Sequence, residues 1–134
     1  MLNFHDIQPG DFLVADNEGR WDIGEVTGLN HDEKQVCLYN GVQDFWYDMN
    51  QLMPIPLDET YLERLKFSAE IQPDGTVKYK KGAFRLQIQK PGDFSAFEIW
   101  YRDEHRHIYH PIHVHELQNH FHEMTKVELT EEAY

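Results

Sequence analysis

The chain predicts an α+β fold, in which a small N-terminal partly open β-barrel of the Src-homology type is followed by a short connecting helix and an antiparallel β-meander covered by a C-terminal amphipathic helix. Three observations carry this reading. Short apolar runs recur at close spacing through the first 56 positions, each bounded by Gly, Pro, Asn or Asp. Strict alternation of apolar and polar residues resumes between Phe67 and Tyr109. Placed at about 100° per residue, Val114, Leu117, Phe121 and Met124 fall within about 80° of one another, so the segment 110–129 has one apolar stripe to bury.

In chain order, Ile7-Gln8-Pro9-Gly10-Asp11 is a turn leading into a strand over 12–15, and Asp16-Asn17-Glu18-Gly19 is a second turn before a strand over 20–26. Trp21 and Ile23 share one face of that strand and Val26 has the opposite parity, which marks Gly24 as the expected bulge. A turn over 30–34 precedes a strand over 35–39. Asn40-Gly41 then reads as a two-residue hairpin turn, because both residue types tolerate positive φ. Strands over 43–47 and 52–55 complete five.

Pro54-Ile55-Pro56-Leu57 stops the fifth strand, and Asp58 is placed to cap a helix over 59–66, with Leu57 and Leu62 at the ends of a hydrophobic staple. Beyond it, strands over 67–72 and 77–79 flank the turn Pro73-Asp74-Gly75-Thr76. Phe84, Leu86 and Ile88 alternate with Arg85, Gln87 and Gln89, Phe97, Ile99 and Tyr101 alternate with Glu98 and Trp100, and 107–109 is the last strand. No Gly/Ser-rich spacer separates the halves, so 1–56 and 57–134 are expected to be two subdomains packed as one unit.

Composition narrows the function classes. With 24 acidic against 12 basic residues the net charge is −12, so the mean field repels phosphate backbones and nucleic acid is not the expected partner. Lys78, Lys80, Lys81, Arg85 and Lys90 cluster in sequence and read as solvated hairpin residues. No apolar run approaches the roughly 20 residues of a bilayer span, and the first residues lack a basic segment followed by an apolar one; a cytoplasmic protein without membrane contact is expected. The single cysteine, Cys37, reads as a buried strand residue that supplies neither an internal disulfide nor a multi-thiolate metal site.

The histidines are the residues with chemistry to weigh, since seven of the nine lie between His105 and His122. His105 and His107 share a strand face if the strand extends that far. His115 and His120 are five apart around Glu116, whereas the zinc-protease pattern needs four for both imidazoles to meet on one helix face. Glu116 with His120, or His120 with Glu123, makes a pair, fewer than the three protein ligands of a typical catalytic zinc site. Candidate ligands for zinc or another divalent metal are therefore His105, His107, His115, Glu116 and His120, set against a reading in which the imidazoles are solvated or capping groups. No nucleophile constellation and no phosphate-cradling glycine loop is present.

In Asp44-Phe45-Trp46-Tyr47-Asp48 the parity points Phe45 and Tyr47 one way and Asp44, Trp46 and Asp48 the other. Either Trp46 is exposed between two carboxylates, as a contact for a basic or proline-rich segment, or it is covered by the second half of the chain.

Three segments carry a resemblance: Pro54-Ile55-Pro56-Leu57 followed by Leu62, Leu65 and Phe67; Gly82-Ala83-Phe84-Arg85; and Val114-His115-Glu116-Leu117-Gln118-Asn119 with Thr125, Glu128 and Leu129. Together they resemble a family of uncharacterised small proteins from gut bacteria and their mobile elements, with a PIPL helix start and a closing VHxLQN helix. Lys66 stands where that family usually has glycine, and His120 and His122 where it has apolar or aromatic residues. The resemblance implies the fold and a phage or mobile-element context, and no reaction. The chain is thus expected to be a non-catalytic binding or structural module that recognises a protein or peptide through Asp44, Trp46 and Asp48, without a cofactor. The alternative is a histidine/carboxylate metal-binding protein or metal-dependent enzyme using the cluster between His105 and His122.

Overall fold

Period-two alternation becomes two antiparallel five-stranded sheets in the computed structural model, which describes residues 2–131. The class is α+β, one sheet being curled into a half-barrel. The curled sheet comprises β1 (Phe12–Asn17), β2 (Arg20–Asn30), β3 (Gln35–Tyr39), β4 (Asp44–Asp48) and β5 (Leu52–Met53), in the order β4-β3-β2-β1-β5. Its inner face buries Leu13, Ala15, Val26, Val36, Leu38 and Tyr47, with Phe4 and Ile7 from the preceding segment.

The bend of β2 lies after Val26 and not at the expected Gly24. Gly24 pairs in regular register with Leu13, and the register breaks between Val26 and Gly28. Ile23 and Val26 differ in parity because they are three positions apart, which needs no bulge. Gly24 serves close packing instead, since a Cβ there would lie 3.0 Å from Leu38 Cβ and 3.2 Å from the Tyr39 carbonyl oxygen. The hairpin after β3 also differs: the loop spans 40–43, only Gly41 takes positive φ, and the Asn40 carboxamide accepts from the backbone N–H groups of Val42 and Gln43. A side-chain turn thus replaces the two-residue backbone turn.

The second sheet is a sequential meander of β6 (Ser68–Ile71), β7 (Val77–Lys81), β8 (Phe84–Ile88), β9 (Phe97–Tyr101) and β10 (Glu104–Ile108). β10 begins three residues earlier than expected, so His105 lies within it. Tyr79, Phe84, Leu86, Ile88, Phe97 and Ile99 are fully buried on one face. Lys81, expected to be solvated, is buried on that face as well; its Nζ donates to the carbonyls of Leu65 and Thr130, both at 2.7 Å.

Two α-helices are present among the described residues, α1 (Glu59–Arg64) and α2 (Val114–Thr125). Asp58 caps α1 as expected, accepting from the Tyr61 N–H at 2.8 Å. At the other end Phe67 N–H donates to the Leu62 carbonyl at 3.0 Å across Lys66, which holds φ +68°. This is the Schellman closure, in which the intervening position is left-handed and glycine is favoured. Lys66→Gly is therefore expected to raise stability by about 0.5–1 kcal/mol, since the left-handed penalty of a Cβ exceeds the extra chain entropy of glycine. An unchanged or lower melting temperature would contradict it.

The chain divides into two compact units. One holds the residues up to Ile55 together with His113–Asn119, and the other holds Pro56–Ile112 together with the residues from His120 onward. Within the first, Val114 N–H donates to the Ile55 carbonyl at 2.8 Å; within the second, Leu57 N–H donates to the Ile112 carbonyl at 3.3 Å. In the second unit the ring of Phe121 lies 4.8 Å from that of Phe84, and Phe121 has no exposed surface.

Candidate functional site

The outward positions of the half-barrel form an aromatic and acidic face. Trp46 is 53% exposed and Trp21 and Met53 are each 51% exposed, with Ile23 and Tyr39 also open to solvent. Strand pairing sets these side chains in rows. Met53, Val14 and Ile23 are cross-strand neighbours, Trp21 faces Asp16, and Tyr39 lies between Glu25 and Asp44. Trp46 pairs with Cys37, itself opposite Gly28, and a Cβ on Gly28 would sit 3.4 Å from the indole. The indole thus lies over Gly28 at van der Waals distance from where a Cβ would stand. Both carboxylates beside Trp46 are exposed and held by other strands of the sheet: Thr27 Oγ1 of β2 donates to Asp44 Oδ1 at 3.1 Å, and Gln35 Nε2 of β3 to Asp48 Oδ1 at 3.0 Å. No outward position of the five strands is a lysine or arginine.

The five candidate metal ligands fall into three separate places. His105 and His107 stand on β10 beside Glu98 of β9, a residue the sequence reading did not single out. The β9–β10 hairpin turns at Arg102 and Asp103, and its symmetry sets residue 98 opposite 107; that signal was present once β10 was taken back to Glu104.

His115 is buried, its Nδ1 has no hydrogen-bond partner among the described residues, and burial pushes its pKa below the ordinary 6.5. Glu116 turns back to the start of α2, accepting from the His113 N–H at 2.9 Å and facing His113 Nδ1 at 2.8 Å. Burial alone would raise its pKa, but these His113 contacts outweigh it and hold the carboxyl below its usual value.

His120 Nδ1 lies 2.8 Å from the Arg106 guanidinium, whose Nη1 also donates to Glu123 at 2.7 Å. Arginine is only a donor, so His120 Nδ1 is the acceptor and the ring proton is on Nε2. The Arg106 hydrogen bond likewise holds Glu123 below the usual carboxylate range. As the side chains stand, no three His, Cys, Asp or Glu groups among the described residues close round one point.

The VHxLQN segment does structural work inside the first unit. The Gln118 carboxamide accepts from Phe12 N–H at 2.8 Å and donates to the Gly10 carbonyl at 2.9 Å, gripping the chain as it enters β1. Asn119 Nδ2 donates to the Asp6 carbonyl at 2.7 Å. Both residues satisfy backbone groups more than 100 positions away, which local sequence does not reveal.

No protein-family profile, curated protein or solved structure matches the chain. Among the described residues no helix is long and apolar enough to cross a membrane.

Proposed function

We propose that the outer face of the half-barrel docks an extended, arginine- or lysine-rich protein segment, and that the chain is a non-catalytic binding module. The observation that carries this reading is Trp46, half-exposed between two carboxylates that other side chains hold in place, on strands whose outward positions include no lysine or arginine. An indole offers a large apolar area and a π-face that attracts a guanidinium or ammonium, while Asp44 and Asp48 supply the counter-charge. Aromatic anchors of this kind carry a disproportionate share of interface energy.

The curled five-stranded sheet is read here as a partly open barrel of the Src-homology type, an architecture that takes extended peptides in aromatic-lined grooves. The likeness of the PIPL and VHxLQN segments to small proteins of gut bacteria and their mobile elements supports a phage or mobile-element setting.

The test is fluorescence anisotropy with a labelled arginine-rich peptide. Trp46→Ala is expected to weaken binding by about 2 kcal/mol, roughly thirtyfold, with an unchanged melting temperature. Asp44→Asn and Asp48→Asn should each reduce the salt dependence. Equal affinity of the wild type and Trp46→Ala would show that Trp46 is not the anchor of an interface, and a variant that unfolds would show that Trp46 belongs to the packing; either outcome overturns the reading.

A further inference from the structure

The solvent face of the second sheet carries an independent arrangement on its edge strand. His105 and His107 project from the same side of β10, and Glu98 is the direct cross-strand partner of His107. Glu98 Oε1 lies 3.4 Å from His105 Nε2 and 3.7 Å from His107 Nδ1, so one carboxylate oxygen sits between two imidazoles. Each ring is oriented by an aromatic neighbour: His105 stacks on Trp100 with centroids 4.8 Å apart, and His107 on Tyr109 at 4.2 Å, both tilted by 11°. No lysine or arginine pairs with Glu98 among the described residues.

We propose that His105, His107 and Glu98 form a binding site for a divalent first-row metal ion such as zinc. Two imidazoles and one carboxylate are the donor set such ions take, with the remaining positions left to water. With metal–ligand bonds of about 2.0–2.1 Å, two ligands of a tetrahedral ion stand about 3.3 Å apart. The two imidazole-to-carboxylate separations are already within about 0.4 Å of that value. Closing the site requires the third edge, between the imidazoles. Both rings are 44% exposed on an edge strand, so they can rotate about their own torsions without moving the core. This site is separate from the Trp46 face, and neither proposal depends on the other.

The experiment is zinc titration of the untagged full chain by calorimetry, with imidazole NMR spectra recorded alongside. One ion per chain is expected, with the His105 and His107 ring signals shifting first. His105→Ala and Glu98→Gln are each expected to weaken zinc by about tenfold or more, while His113→Ala and His120→Ala leave it unchanged. Melting curves confirm that each variant is folded. No uptake at millimolar zinc, or uptake that survives the His105→Ala/His107→Ala double substitution, would overturn the assignment; in the second case other histidines hold the ion.

Discussion

Phe121→Ala is expected to lower the stability of the second unit by about 3–5 kcal/mol, whereas His122→Ala, one residue along the same helix, should change it by less than about 0.5 kcal/mol. Phe121 is fully buried and its ring lies 4.8 Å from Phe84, so truncation removes the transfer energy of a phenyl group and leaves a cavity that the rigid strand β8 cannot fill. His122 is exposed. Urea melts of the two variants check this, and equal losses would show the helix faces to be assigned the wrong way round.

Lys81→Met is expected to cost about 2–4 kcal/mol although it replaces a charged side chain by an apolar one of similar length. The lysine stem lies on the core face of β7, and its ammonium satisfies two backbone carbonyls, one at the end of α1 and one near the end of the described chain. Methionine fills the space and leaves both acceptors without that donor, each costing about 1–3 kcal/mol when buried. A variant as stable as the wild type would show that water or another donor replaces the ammonium.

What was legible in the sequence was local and periodic. β3 has the bounds its flanking turn residues predict, and β8 ends one residue short of the predicted alternation, at Ile88 rather than Gln89. The Asp58 cap was legible because the acceptor and the N–H that it satisfies are three positions apart. The parity of β4 placed Trp46 beside Asp44 and Asp48 on the wet side, and Tyr47 is buried on the other.

What was not legible depends on partners distant along the chain. The register break after Val26 exists only relative to β3, so inspection of β2 alone put it at Gly24. Lys81 belonged to a basic run by composition, and only the two carbonyls it meets explain its burial. The same holds for the candidate ligands, since Glu98 joins His105 and His107 through a hairpin, while Arg106 claims His120 and His113 claims Glu116. Parity sets Trp21 on one face with Ile23, but that this outward face also carries Trp46, two strands away and further along the sheet, emerges only when the strands are set side by side.

The most direct measurement of the central claim follows the three tryptophan indole N–H signals by NMR while an arginine-rich peptide is added to the labelled chain. Trp21 and Trp46 lie on the outward side of the half-barrel, and Trp100 lies on the other sheet, with the Arg85 guanidinium 5.7 Å from its ring centre on one side and the His105 ring stacked on it. The proposed docking face predicts that the Trp46 signal shifts most, Trp21 less, and Trp100 not at all, with the changes fading as salt is raised. Shifts confined to Trp100, or no indole shift at saturating peptide, would contradict it.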